Sequence, residues 1–223
     1  TYLASVIAEN LLESHQQVIA IDPTGAWWGL KSSADGNSDG FPVVVFGGDN
    51  ADLPLEESSG EIVARALVEK RFSAVLDLSH MRKNEMYRFL TTFLETLYRL
   101  NREPVHLVCD EADAYAPQRA SPETARVLGA MEDLVRRGRR KGIGATLVSQ
   151  RPAALNKGVL TQCEMLVAMR LIHPRDIAPI HEWVAVHADE KNARVIVDSL
   201  PSLPVGTAWF WSPGWGDVFS RAQ

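Results

Sequence analysis

The stretch that decides the fold is HLVCDEADAYAP, residues His106 to Pro117. An apolar run ends there abruptly in two adjacent carboxylates, Asp110 and Glu111. Three other short apolar runs also end in polar residues, which are Asp22, Asp77 and the pair Ser149-Gln150. Runs that are apolar on both faces and alternate with amphipathic helices indicate a parallel sheet covered on both sides. Because ligands bind at the carboxyl ends of such strands, these polar residues outline one site.

The remaining segments fit an α/β fold with a mostly parallel sheet and helices on both faces. Helical spacing of apolar residues predicts helices over about 1–15 and 174–200, and in SGEIVARALVEKR and MRKNEMYRFLTTFLETLYRLN. Ser121 and Pro122 are a good start signal for a further helix, from Ser121 to about Lys141. The predicted strands are QVIAIDP, PVVVF, SAVLDLS, PVHLVCDE, IGATLVSQ, EMLVAMRL and GTAWFWS.

The composition of the 223 residues excludes several classes of protein. No apolar run approaches the ~20 residues that span a bilayer, and no basic, apolar leader opens the chain, so we expect no membrane segment. Cys109 and Cys163 lie in apolar runs, which indicates reduced thiols and a cytoplasmic protein. Without a CxxC motif or a His/Cys cluster, we expect no structural zinc. A net charge of -5 argues against a histone-like DNA binder but allows a local basic strip, RRGRRKG.

The pair Asp110-Glu111 after an apolar strand has the form of a Walker B motif of nucleotide hydrolases. In that motif the aspartate binds Mg²⁺, which neutralises the β- and γ-phosphates of ATP. The following glutamate is directed at the water that attacks the γ-phosphate. A solvated acidic turn is the alternative, but a second polar strand end at Ser149-Gln150 favours the nucleotide site. A DEAD-box RNA helicase is excluded because LVSQRP stands where that class carries Ser-Ala-Thr.

Three motifs in order resemble the HerA/FtsK superfamily of P-loop ATPases, and its HerA-like, DUF87-type branch in particular. The motifs are VIAIDPTGAWWGL, LVCDEADAYAPQ and RRGRRKGIGATLVSQRPAALNKGVLTQCEMLVAMRL. The resemblance implies a single RecA-like domain of the additional-strand type over residues 1–223. It also implies ATP and Mg²⁺ as cofactors, and a ring-shaped homo-hexamer that translocates on or remodels DNA.

The Walker A motif GxxxxGK[ST] does not occur in the 223 residues. By the resemblance, Thr1 is expected to be its last residue, with a hydroxyl that reaches Mg²⁺, and the domain is expected to be truncated at this motif. A degenerate relative that has lost nucleotide binding is the alternative. A further alternative is a HerA-like ATPase ring that serves as a scaffold or regulator for a partner effector such as a nuclease.

The resemblance also implies roles for residues near the end of the basic strip and of the strand after it. Gln150 would sense the γ-phosphate, because its amide can donate to phosphate and accept from water. Arg139 would be an arginine finger that acts on the neighbouring subunit's nucleotide, with Arg140 as the nearest competitor. The alternative for the strip is a helix end whose positive charge complements the helix dipole. The remaining cations would contact DNA phosphates or form salt bridges between subunits.

The loop TGAWWGLKSSADGNSDG carries two adjacent tryptophans, Trp27 and Trp28, followed by Lys31. In a ring these side chains could stack on bases or bind phosphates in the channel. We favour the alternative that both tryptophans anchor the loop or pack between subunits. His106 lies within a strand and is expected to be a hydrogen-bonded core residue. Asp77 is expected either to support the metal site or to form a turn.

Overall fold

The computed structural model describes residues 2–33, 35–187, 190–212, 214 and 218–222. Thr1, and with it the predicted hydroxyl ligand for Mg²⁺, lies outside the described residues. The chain divides into two compact units, Thr1–Gln150 and Arg151–Gln223. A single RecA-like domain over residues 1–223 stays a prediction. No helix in the described part of the chain has both the length and the apolar character that crossing a membrane requires.

The first unit contains the parallel sheet that the sequence predicts. Within the described residues its five strands lie in the order β2-β3-β1-β4-β5, and all neighbours are parallel. Their bounds are β1 Val18–Asp22, β2 Val43–Phe46, β3 Ser73–Asp77, β4 Val105–Cys109 and β5 Ile143–Leu147. Every residue of the central strand β1 is buried, as expected for a strand covered on both faces. The predicted fold class is confirmed.

Among its described residues, this unit has four α-helices: α1 Tyr2–Glu13, α2 Gly60–Lys70, α3 Lys83–Leu100 and α4 Ala125–Arg137. The predicted helix from Ser121 to about Lys141 is wrong at its start, while its end agrees with the helical segment, whose last turn is 3₁₀. It begins later because the Ser121 N–H donates to the Thr124 hydroxyl at 2.8 Å, which closes a separate turn. After α4 the chain tightens into a short 3₁₀ helix, Gly138–Lys141. This helix ends at Gly142, whose φ of 75° suits glycine.

The second unit has its own sheet, formed by β6 Leu166–Ala168, β7 Ala208–Ser212 and β8 Val218–Ala222. These strands are antiparallel in the order β6-β7-β8, so EMLVAMRL and GTAWFWS do not extend the parallel sheet. Its helices are α5 Lys157–Leu160, α6 Pro174–His187 and α7 Glu190–Ser199. Trp211 stacks edge-on against Trp183 with ring centroids 5.6 Å apart, so it is a core residue here. Strand β8 was not predicted because its residues carry no clear apolar alternation.

Candidate functional site

The parallel register brings the polar strand ends to one edge of the first unit's sheet. Asp22, the last residue of β1, lies opposite Asp77, the last residue of β3. On the other side of β1, Ile21 is opposite Cys109, so the acidic pair Asp110-Glu111 begins one residue beyond β4. Cys109 is in turn opposite Leu147, the last residue of β5. The predicted grouping of these residues at one edge is therefore confirmed.

Asp110 is buried, with 1% of its surface exposed, and its carboxylate has two protein donors. Oδ1 accepts the Glu111 N–H at 3.1 Å, and Oδ2 accepts the indole N–H of Trp27 at 2.9 Å. Below it, the Tyr115 hydroxyl donates to the Asp110 carbonyl at 3.2 Å. Burial raises the pKa of Tyr115 well above its ordinary value, so this hydroxyl stays a neutral donor. The bonds from Glu111 and Trp27 thus orient the Asp110 carboxylate, and the bond from Tyr115 holds its main chain.

Glu111 and Gln150 are brought into direct contact. The Gln150 Nε2 donates to the Glu111 Oε1 at 2.6 Å, although the two residues lie 39 positions apart in the chain. Glu111 adopts a left-handed backbone conformation, with φ 44° and ψ 46°, which is uncommon for a residue other than glycine. This geometry turns the chain sharply directly after the strand. Next to the pair, the Ser149 hydroxyl donates to Asp113 Oδ1 at 2.5 Å.

Asp22 organises the loop that follows β1. Its Oδ1 accepts the N–H groups of Thr24 and Gly25 and the Thr24 hydroxyl, each at 2.9 Å. Its Oδ2 accepts the Trp27 N–H at 2.8 Å. The carboxylate is completely buried, so these bonds replace its hydration. Asp22 is thus a structural acceptor for the loop.

Asp77 forms a turn, as one of the two expectations stated. It accepts the N–H of Ser79 at 2.9 Å and the Ser79 hydroxyl at 2.5 Å. Gly48 is needed beside it, because a Cβ at that position would lie 1.9 Å from the Asp77 carboxylate.

His106 is half-buried in β4 and its Nε2 lies 2.8 Å from the Thr146 hydroxyl, as expected for a hydrogen-bonded strand residue. Burial lowers the pKa of His106, which favours the neutral ring.

The two tryptophans of the loop have different environments. Trp27 has only 2% of its surface exposed and contacts Asp110, whereas Trp28 is 41% exposed. Both begin a short 3₁₀ helix, Trp27–Lys31, and the Lys31 ammonium pairs with Asp52 at 2.5 Å. The expectation that tryptophan anchors the loop holds for Trp27. Its hydrogen bond to the Asp110 carboxylate was missed, because spacing in the sequence does not reveal which strand end a loop side chain reaches.

Arg139 and Arg140 are both exposed in the 3₁₀ helix that precedes β5. Asp110 and Glu111 follow the carboxyl end of β4, and β4 and β5 run parallel. With a rise of about 3.3 Å per residue, the five residues of β5 alone separate the two edges by roughly 16 Å. Arg139 therefore lies at the opposite edge from the carboxylates of its own chain.

The side chains at this edge are of the chemical types that bind a magnesium–nucleotide complex. Within the described ranges, no group of three or more His, Cys, Asp or Glu residues is placed to hold a metal. Mg²⁺ in nucleotide sites takes one or two carboxylates and fills its other positions with phosphate oxygens and water. Asp110 offers such a carboxylate, buried and already oriented by its donors. It is the residue of this edge best suited to the role.

Replacing Asp22 should destabilise the first unit. In Asp22→Ala the buried Trp27 N–H and its neighbours lose their acceptor, so we expect a loss of about 3 kcal/mol in the free energy of unfolding. Urea denaturation followed by circular dichroism measures it. The matched control is Asp35→Ala, which removes an exposed carboxylate that also accepts loop hydrogen bonds, from Ser33 and Asn37. Equal losses in the two variants would contradict the role given to Asp22.

Comparison with curated proteins finds relatives among archaeal helicases. The chain is 27% identical over 165 residues to the DNA double-strand break repair helicase HerA of Pyrococcus furiosus, covering 70% of this chain and 28% of that protein. It is 29% identical over 151 residues to a probable HerA of Methanocaldococcus jannaschii, covering 66% and 28%. The matched region thus spans little more than a quarter of these relatives. No protein-family model matches the chain.

Comparison with solved structures finds the same fold in a viral protein. The genome packaging NTPase B204 from Sulfolobus turreted icosahedral virus 2, in complex with AMPPCP, superposes with a TM-score of 0.57. The match covers 100% of this chain and 90% of that one at 13% identity. The same protein in complex with ATP-gammaS gives a TM-score of 0.56. Together with the curated relatives, this confirms the predicted resemblance to HerA/FtsK-type P-loop ATPases.

Proposed function

We propose that this chain is the ATP-hydrolysing part of a motor that acts on DNA. The observation that carries the proposal is the contact between Glu111 and Gln150, at the end of adjacent strands and beside the buried carboxylate of Asp110. An acid and an amide in contact at a strand end can together orient a water molecule. The HerA helicases among the relatives support DNA as the substrate.

Each residue of the site has a defined task in this proposal. Mg²⁺ bound with ATP would neutralise the charge that develops on the phosphates. Asp110 would hold the ion, and Thr1 is the further ligand that the resemblance implies. Glu111 would orient the attacking water and accept its proton. Gln150 would donate its amide N–H to the γ-phosphate, and its contact with Glu111 would link phosphate sensing to the position of the water.

The position of Arg139 supports assembly into a ring. An arginine at the amino edge of the sheet is too far from the carboxyl edge of its own chain to stabilise a phosphate there. It can act on a nucleotide only if a neighbouring subunit presents its carboxyl edge, which is the arrangement of an arginine finger supplied in trans. A homo-hexamer satisfies this condition at each interface, and six is the number that the resemblance implies.

The proposal predicts that full-length protein hydrolyses ATP and that duplex DNA increases the turnover several-fold. DNA-stimulated turnover follows if binding of the substrate promotes the closed arrangement of neighbouring subunits. A coupled assay of ADP release with and without duplex DNA measures it, with EDTA as the metal-free control. Turnover indifferent to DNA would instead favour a ring that serves a partner effector such as a nuclease. Absence of turnover would favour a degenerate module and overturn the proposal.

A further inference from the structure

The hydrogen bond from Trp27 to Asp110 joins two strand ends that are 83 residues apart in sequence. The indole Nε1 lies 2.9 Å from Oδ2, and both residues are almost completely buried. Water therefore has no ready access to replace this donor. The contact reaches the carboxylate of this edge that is best suited to Mg²⁺. The catalytic steps proposed above give this hydrogen bond no role.

The loop after β1 holds Trp27 in place through its backbone and its ring. The Asp22 Oδ2 accepts the Trp27 N–H at 2.8 Å, while Oδ1 closes the turn at Thr24 and Gly25. The Trp27 ring also packs in a buried cluster that includes Leu30 and Val108. The backbone of Trp27 and its ring are thus held by separate contacts. With both held, the indole N–H points toward Asp110.

The chemistry of the donor suits a metal ligand. An indole N–H is neutral and can only donate, so it orients a carboxylate without neutralising its charge. A lysine or arginine in the same place would compete with Mg²⁺ for the carboxylate. Metal ligands depend on such outer hydrogen bonds, whose removal typically weakens metal affinity or activity by about 10- to 100-fold.

We infer that Trp27 is a positioning residue for the magnesium site: its indole N–H fixes Asp110 in the orientation that binds Mg²⁺ with ATP. This inference rests on the proposed function. A purely structural tryptophan would fill the same space, and its replacement would change stability without changing the dependence on the metal. The two roles are separated by removing the N–H while keeping an aromatic ring.

The experiment compares full-length wild-type protein with Trp27→Phe and with a second variant that carries 3-benzothienylalanine at position 27. That amino acid keeps the bicyclic shape of tryptophan and lacks the N–H. We expect the Mg²⁺ concentration for half-maximal ATP turnover to rise about tenfold in both variants. The second readout is Mn²⁺ binding, followed by electron paramagnetic resonance in the presence of a non-hydrolysable ATP analogue, and it should weaken in parallel. ATP binding in EDTA should not change.

Trp28→Phe is the matched control, because it makes the same exchange at the neighbouring, exposed tryptophan. Its Mg²⁺ dependence should equal that of the wild type in assays without DNA. Wild-type Mg²⁺ dependence and Mn²⁺ binding in the benzothienylalanine variant would overturn the inference even if Trp27→Phe is impaired by misfolding. If the wild-type protein itself hydrolyses no ATP, the proposed function fails, and the Mn²⁺ titration still tests the role of Trp27.

Discussion

Glu111→Gln is expected to lower ATP turnover at least about a hundredfold while ATP binding is retained. Glutamine keeps the length of the side chain, its place beside Asp110 and an oxygen that can accept the hydrogen bond from Gln150. It loses the negative charge that orients the attacking water and takes up its proton. Turnover is measured by release of phosphate, and binding by titration with a fluorescent ATP analogue. The loss should appear in kcat, because the carboxylate acts on the water rather than on the bound nucleotide.

Asp113→Asn provides the matched control for this variant. It removes a carboxylate from the same acidic segment, two residues away, that accepts a hydrogen bond from Ser149. A loss of turnover within a few-fold is expected there. If Asp113→Asn and Glu111→Gln were equally impaired, the water-positioning role could not be assigned to Glu111. Unchanged turnover in Glu111→Gln would rule out the role altogether.

Arg139→Ala is expected to lower ATP turnover by about a thousandfold, the lower end of what arginine fingers contribute. Because Arg139 lies at the opposite edge from Asp110, the proposed ring places the lost guanidinium in the neighbouring subunit's site. Mixing the two inactive variants, Arg139→Ala and Glu111→Gln, should therefore restore part of the turnover. At some interfaces an intact Glu111 then faces an intact Arg139. The measurement is phosphate release as a function of the mixing ratio, after subunit exchange.

Two further variants make this result specific. Arg136→Ala removes an exposed cation at the end of α4 and should leave turnover close to that of the wild type. Arg140→Ala tests the neighbouring arginine, and a larger loss there than in Arg139→Ala would move the finger by one residue. Absence of recovery in the mixture, at ratios where mixed assemblies are demonstrated by cross-linking, would contradict a role in trans.

The sheet and the residues at its carboxyl edge follow from the sequence with little ambiguity. A strand such as β1, which is buried throughout, needs neighbouring strands on both sides and helices on both faces. Its continuous apolar sequence therefore already indicates a parallel sheet. Parallel register then places Asp22, Asp110 and the end of β5 at one edge. The contact between Glu111 and Gln150 was not itself predicted, but it joins two residues that the motifs had already singled out.

The parts that were missed depend on long-range contacts or on local competition between hydrogen bonds. No sequence pattern in the loop after β1 predicts that the Trp27 ring is buried against Asp110 while Trp28 is exposed. Similarly, Ser121 is a plausible N-cap residue, but its own N–H donates to the Thr124 hydroxyl. Helix α4 therefore begins later in the chain. Strands β6 and β7 pair in a second sheet together with β8, and the sequence of β8 has no apolar alternation that predicts a strand.

The left-handed backbone of Glu111 sets the stability of the fold against the side chain that the proposed site requires. A left-handed conformation raises the energy of a residue with a side chain by about 1–2 kcal/mol, whereas glycine adopts it freely. Folding alone would favour glycine at position 111, whereas the role proposed for Glu111 requires a carboxylate. If Glu111 acts on the water as proposed, selection for turnover and selection for stability act in opposite directions on this one residue. In a search for more stable variants, we therefore expect Glu111→Gly to raise stability and to lower turnover.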